Sequence, residues 1–200
     1  IMDLKKHRNE PKYFYRAREL DRNASLYENM TPVEKASRII FLNKTCYNGL
    51  FRVNKAGQFN TPFGHYKNPN IVNERALRAV SRFFSLADIE ISCIDFEEAL
   101  EKAGEGSFVY LDPPYDPVSD TASFTEYDRG GFGRNQQIRL KQACDKLDRK
   151  GARFLLSNSA TDFIYRLYKG YRIEVVKARR PVNSKAHKRG EVNEVLVRNY

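Results

Sequence analysis

The residues best suited to chemistry in this 200-residue chain are Leu111-Asp112-Pro113-Pro114-Tyr115, directly after the β-rich run Phe108 to Leu111. In open α/β sheets, ligands bind beyond the carboxyl ends of strands, so this turn stands where chemistry is expected. Two consecutive prolines stiffen it and remove two amide donors, leaving carbonyls to point outward. With Asp112 as acceptor and Tyr115 as a flat surface, the turn suits an exocyclic amine on a planar base. Such an amine is a poor nucleophile, because its lone pair is delocalised into the ring. The Asp112 carboxylate and the Pro113 carbonyl would hold both amine hydrogens, draw the nitrogen toward tetrahedral geometry and free the pair for in-line attack on a methyl sulfonium. Positioning and electrostatics would supply most of the rate, without a metal. Read alone, the turn also fits a surface Asp-Pro-Pro-Tyr loop of no catalytic meaning, so its context decides.

That context is basic. The chain carries 35 Lys+Arg against 25 Asp+Glu, a formal charge of +10. Six basic residues and no acid lie between Lys35 and Asn73, and six more without an acid between Lys177 and Gly190. Outside these two runs the chain is close to neutral, so the excess is concentrated. Such patches fit a polyanion, because each neutralised phosphate releases counterions; solvated basic loops are the plainer reading. The first run also carries Asn43, Asn48, Asn54, Asn60, Asn68, Asn70 and Asn73. Asparagine pairs a donor with an acceptor and can read a base edge, which favours nucleic acid. Collagen, coiled coil and disorder are excluded by composition. No apolar run approaches a membrane span, and the first residues have no signal core, which implies a cytoplasmic protein with no membrane partner. Cys46, Cys93 and Cys144 lie far apart without a Cys-x-x-Cys, so neither a disulfide framework nor a metal site is expected.

The elements that must position these residues follow from pattern. Residues 3–27 read as one or two surface helices. Thr31-Pro32-Val33-Glu34 is a helix start with Thr at the N-cap and Glu three residues on, and Ala36, Ile39, Ile40 and Phe41 form its expected buried face. Residues 48–69 imply a structured loop or hairpin, and Glu74 to Phe84 a helix with Leu77, Val80 and Phe84 at helical spacing. Strands are expected at Ile89–Ile94, Phe108–Leu111, Phe154–Leu156, Ile173–Val176 and Glu194–Val197. Helices Phe96–Ala103, Asn135–Lys150 and Thr161–Lys169, each followed by Gly, separate the first four. Such alternation implies an α/β layer with a mostly parallel sheet and, across the second basic loop, an antiparallel finish.

Segments along nearly the whole chain resemble the DNA adenine methyltransferase family that acts at GATC. They are Tyr47-Asn48-Gly49-Leu50-Phe51-Arg52-Val53-Asn54, Gln58-Phe59-Asn60-Thr61-Pro62-Phe63-Gly64, Tyr66-Lys67-Asn68-Pro69, Asp95-Phe96, Asp112 to Tyr115, Ala122-Ser123-Phe124-Thr125, Leu156-Ser157-Asn158-Ser159 and Glu194 to Tyr200. The resemblance implies an α/β fold: a partial Rossmann-like methyltransferase sheet with a helical and hairpin target-recognition domain. Residues 1–86 would be the recognition region, with a DNA-reading hairpin at about 47–69, and residues 87–200 the C-terminal part of the catalytic domain. It also implies transfer of a methyl group from S-adenosylmethionine to N6 of a flipped-out adenine in double-stranded DNA. Asp112, Pro113, Pro114 and Tyr115 would be catalytic. Asp95, Phe96 and Asp112 would meet the cofactor, although Asp95 also reads as a helix N-cap with Glu98 three residues later.

In the recognition region, the resemblance places Tyr47 at the space vacated by the flipped base and Asn48 on the backbone or a neighbouring base. Leu50 would touch a thymine methyl, Arg52 would take guanine through two bonds, and Pro62 would pack near the same outer pair. Asn60 belongs to the same DNA-binding set. The plainer readings are a phosphate contact for Arg52 and a core position for Leu50. Arg179, Lys188 and Arg189 would meet phosphates, or solvent. Ser123, Phe124, Thr125 and Tyr127 resemble a loop closing beside the flipped base, or form a surface loop. The family's Lys-x-x-Gly-Gly-Lys stretch and Phe-x-Gly-x-Gly turn have no match here. Their absence implies that an N-terminal segment is missing or comes from a complementary chain, and that these residues alone bind the cofactor weakly. A non-catalytic DNA-binding remnant is the alternative function.

Overall fold

The computed structural model describes residues 1–118, 131–179 and 191–200. Lys188, Arg189, Ser123, Phe124, Thr125 and Tyr127 lie outside the described residues, as does the side chain of Arg179. The chain forms two compact units, Ile1–Ile91 and Ser92–Tyr200. Among the described residues, no helix is long and apolar enough to cross a membrane, and no cluster of His, Cys, Asp or Glu could hold a metal ion.

The first unit contains helices α1 (Pro11–Glu19), α2 (Ala24–Glu28), α3 (Pro32–Thr45) and α4 (Glu74–Leu86). Helix α3 begins where its sequence places it. The Thr31 hydroxyl accepts from the Glu34 N–H at 3.3 Å, and the Glu34 carboxylate accepts from the Thr31 N–H at 2.8 Å. Its buried face differs from the apolar expectation: Ser37, Arg38, Phe41, Leu42 and Thr45 are inside, while Ala36 is exposed. Arg38 is buried because carbonyls and a carboxylate meet its guanidinium, and Ser37 because His7 bonds its hydroxyl at 3.0 Å. Satisfied polar groups can therefore define a helix's inner face as firmly as apolar ones. The core joins Leu4, Phe14, Phe41, Leu42, Cys46, Phe59 and Phe63. From α4 only Leu77 packs on it, whereas Val80 and Phe84 are exposed.

The second unit is a mixed α/β layer. Strands β1 (Phe108–Leu111), β2 (Arg153–Ser159), β3 (Arg172–Arg179) and β4 (Glu191–Arg198) lie in the order β1-β2-β4-β3, with helices α5 (Phe96–Glu101), α6 (Arg134–Arg149) and α7 (Asp162–Leu167) beside them. β1 runs parallel to β2, with Leu111 opposite Leu156, and β4 is antiparallel to both β2 and β3. A parallel neighbour requires a crossover, and α6 lies in it. Leu140, Cys144 and Leu147 of α6 cover Phe154, Leu156, Val195 and Val197. The expected strand at Ile89–Ile94 is absent, and Ile91 is 74% exposed. β-branched residues favour an extended chain, but a strand also needs a neighbouring ladder, and none of the described strands pairs with this segment.

Candidate active site and nucleic-acid interface

The Asp112 to Tyr115 turn leaves β1 at the carboxyl end of the parallel pair, beside Ser157, Asn158 and Ser159 of β2. Three side chains pin it. The Ser157 hydroxyl donates to Asp112 Oδ1 at 2.9 Å and lies 3.2 Å from the Tyr110 hydroxyl. Gln137 Nε2 of α6 donates to the Pro114 carbonyl at 2.7 Å. Asn158 Oδ1 accepts from the Asp116 N–H at 2.9 Å, while its Nδ2 donates to Gln137 Oε1 at 3.1 Å, closing a ring of bonds through the turn. Asp116 is held further by Thr161 at 2.7 Å and Arg134 at 3.2 Å. Gln137, Asn158, Ser157 and Asp116 are all buried. A buried network in which each of these polar side-chain atoms has a partner resists distortion, since breaking one bond strands its partner.

Asp112 itself is exposed, Pro113 buried, Pro114 exposed and Tyr115 half-buried. Among the described residues, Asp112 is bonded only through Oδ1, which leaves Oδ2 for another donor. The Tyr115 hydroxyl lies 3.5 Å from Glu194 Oε2. Burial first, then the charges of Glu194 and Asp112, raise its phenol above the usual range despite an opposing bond to Ser157, so it is neutral near pH 7. The arrangement offers an exposed acceptor, a rigid turn and an uncharged aromatic ring.

Asp95 caps α5, accepting from the Glu97 N–H at 2.9 Å rather than working through Glu98, and accepts from Arg139 at 3.1 Å. Both bonds use Oδ1, so Oδ2 can still accept. Phe96 is half-buried against Phe132, with ring centres 5.9 Å apart, and the Arg139 guanidinium lies 4.9 Å from its centroid.

In the first unit, residues 50–60 form a hairpin. The Asn54 N–H donates to the Gln58 carbonyl and the Asn60 N–H to the Arg52 carbonyl, each at 2.9 Å, on either side of the Val53–Phe59 bridge. Asn54 Oδ1 accepts from the Ala56 and Gln58 N–H groups at 3.0 Å, and Gly57 takes φ +75°, so the sequence itself dictates the tip. At the base, the Tyr47 N–H donates to the Pro62 carbonyl at 2.8 Å and the Thr61 hydroxyl to the Leu50 carbonyl at 2.7 Å. Asn48 and Gly49 adopt the left-handed region at φ +54° and +63°. A Cβ on Gly64 would lie 2.6 Å from the Cys46 carbonyl oxygen, so only glycine allows that approach.

The structure thus gathers Tyr47, Asn48, Leu50, Arg52, Asn60 and Pro62 on one hairpin and its base. Tyr47, Asn48, Leu50, Arg52 and Pro62 are exposed. Leu50 belongs to neither core cluster, which removes its reading as a core leucine. Arg52 Nε donates to Asn60 Oδ1 at 2.9 Å, steadying the guanidinium while leaving Nη1 and Nη2 for an outside acceptor. The sequence alone points to no role for Ser157, Asn158 or Gln137. Ser157 and Asn158 could have been found from their place at the carboxyl end of the strand beside β1. Gln137 lies in a helix among many polar residues and gives no such signal.

The chain thus carries two candidate features, a braced acceptor-and-aromatic turn in its α/β unit and a hairpin presenting Arg52, Asn54 and Asn60 in its first unit. Residues 1–182 match the model of the D12 class N6 adenine-specific DNA methyltransferases, and the chain belongs to that family. It is 40% identical over 192 residues to the type II methyltransferase M1.LlaDCHI of Lactococcus lactis subsp. cremoris, covering 96% of this chain and 67% of the relative. Against the type II methyltransferase M.MjaIII of Methanocaldococcus jannaschii it is 48% identical over 170 residues, covering 84% and 58%. Against the DNA adenine methylase of Escherichia coli K12 it is 34% identical over 174 residues, covering 85% and 60%. The chain therefore spans roughly three-fifths to two-thirds of the length of these relatives.

Proposed function

We propose that the protein takes part in methylating N6 of adenine in double-stranded DNA, at GATC, as a cytoplasmic enzyme using S-adenosylmethionine. The observation that carries this reading is Asp112: exposed at the end of β1, held through one oxygen by Ser157 and open at the other. Asp112 Oδ2 and the Pro113 carbonyl accept the two N6 hydrogens, and the nitrogen lone pair is released from the ring. Tyr115 stacks on the extruded base, whose unstacking costs a few kcal/mol. The Gln137 and Asn158 bonds keep the two acceptors from relaxing away from the base, so little reorganisation is needed as charge develops on nitrogen.

S-adenosylmethionine, when bound, supplies the electrophilic methyl group. Asp95 Oδ2 and the Phe96 ring fit its adenosine part, one as an acceptor for a hydroxyl or amine and the other as an apolar wall. Residues 1–86 serve target recognition and 87–200 catalysis. On the hairpin, Arg52 takes a guanine through Nη1 and Nη2, Leu50 meets a thymine methyl, and Tyr47, Asn48, Asn60 and Pro62 complete the contact. Arg179, Lys188 and Arg189 meet phosphates. Incubating a GATC plasmid with the full-length protein and S-adenosylmethionine, then digesting it with a nuclease blocked by N6 methylation, tests the activity. Protection at GATC alone is the expected result; DNA binding without protection supports the non-catalytic alternative and refutes methylation.

A further inference from the structure

We propose that Asp21 and Arg22 are positioning residues for target discrimination, holding both backbone groups of Phe59 from outside the hairpin and so fixing the register at which Arg52 is presented. This rests on the reading of the hairpin as a DNA-recognition element. The hairpin's own bonds flank the Val53–Phe59 bridge. That makes Val53 and Phe59 a non-hydrogen-bonded pair, in which the N–H and C=O of Phe59 point away from the partner strand. Phe59 is 1% exposed, so leaving those groups unmet would be costly.

Two consecutive side chains meet them. Asp21 Oδ2 accepts from the Phe59 N–H at 2.8 Å, and Arg22 Nη2 donates to the Phe59 carbonyl at 2.7 Å. Together they do for Phe59 what a third strand would do. The clamp is itself braced. Asp21 pairs with Arg22 and with Arg38 Nη2, the latter at 2.9 Å. The buried Arg38 donates to the carbonyls of Ala17 and Arg18 at 2.6 and 2.8 Å, and Arg22 Nη1 reaches the Arg18 carbonyl at 2.7 Å. The hairpin edge is thereby fastened to α1 and α3. A two-stranded hairpin alone is marginal in water, so an outer fastening has a large share in its order. The next residue, Asn60, carries the effect onward, because its N–H and Oδ1 hold the Arg52 carbonyl and Nε.

Arg22 is the informative position, since Asp21→Ala would strand the buried charge of Arg38. The full-length protein and its Arg22→Ala, Arg22→Lys and Arg52→Ala variants would be compared by amide hydrogen exchange without DNA. They would also be compared by binding to a short GATC duplex and to one with the outer G·C pair replaced. For Arg22→Ala we expect exchange of the hairpin amides to quicken by about tenfold or more. The ratio of the two affinities should fall about tenfold, with the salt dependence unchanged. Arg22→Lys, which keeps one donor, should restore part of both. Unchanged exchange in Arg22→Ala overturns the clamp, whatever happens on DNA. Faster exchange with undiminished discrimination, where Arg52→Ala does lose it, overturns the clamp's role in specificity. Undiminished discrimination in Arg52→Ala overturns the hairpin reading, and with it the role assigned here.

Discussion

The hairpin of the first unit and the turn of the second are both irregular segments fastened by side chains from elsewhere, but by different chemistry. The turn is held by neutral amides and hydroxyls, Gln137, Asn158 and Ser157, all buried. The hairpin is held by ions, Asp21, Arg22 and Arg38, with Arg22 still partly open to water. Neutral amides can be enclosed at modest cost when every donor has an acceptor, and their short reach fixes atoms closely. Charged groups are enclosed only when paired, as Arg38 is, and long arginine side chains span larger gaps while tolerating small shifts. Under the function proposed above, close fastening suits a turn that places two acceptors around one nitrogen, and ionic bonds reaching in from Asp21 and Arg22 suit a hairpin that presents Arg52 in one register.

Substitutions at the two fastenings differ in their expected effects. The largest effect is expected from Asp112→Ala, which should lower kcat by a hundredfold or more, about 3 kcal/mol, while DNA affinity stays nearly constant. Single-turnover methyl transfer at saturating DNA measures this, and an active variant would remove Asp112 from the chemistry. Next is Asn158→Leu, which strands the Asp116 N–H and Gln137 Oε1 in the buried interior. It should cost about 2 kcal/mol of stability and lower kcat more than it raises KM. A denaturant midpoint equal to the parent's would show that the ring of bonds is not under load.

On the hairpin side, Arg52→Ala should relax discrimination at the outer base pair by about 1 to 3 kcal/mol without weakening binding to unrelated DNA. A uniform loss across all sequences would instead identify Arg52 as a phosphate contact. The smallest effect concerns His7, stacked on Phe41 with ring centres 4.5 Å apart and bonded to Tyr13 and Ser37. Burial lowers its pKa, with Asp3 opposing and Lys6 adding to the shift. The folded chain thus favours neutral imidazole, whereas the unfolded chain takes up a proton near pH 6.5. The contribution is complete above that value and is lost as the pH falls below it. Between about pH 7.5 and 5.5, the melting temperature of the parent should drop by about 1 to 2 °C more than that of His7→Gln. Parallel melting curves for the two proteins would exclude this role.

Much of the molecule was legible before its structure. The Thr31 capping box, the strand segments of β1 to β4 and the exposed turn after β1 follow from local rules about caps, β-branched runs and proline, and the alternation of strands with helices implies a sheet with an antiparallel finish. These features depend on residues close in the chain, or on a pattern that recurs along an element. The failures depend on distant neighbours. Ile89–Ile94 has the composition of a strand but no described strand pairs with it, and Ala36 was expected inside where Ser37 and Arg38 are found.

By itself, then, the sequence determined which side chains could act: Asp112 and Tyr115 beyond a strand, and Arg52, Leu50 and Asn60 in a basic, glycine-punctuated segment. Tertiary structure alone decided how those groups are held. Asp21 and Phe59 are 38 residues apart, and Asp112 and Ser157 are 45 apart. No local propensity can announce such partners, because a side-chain hydrogen bond is chosen by what folding brings within about 3 Å, not by spacing along the chain.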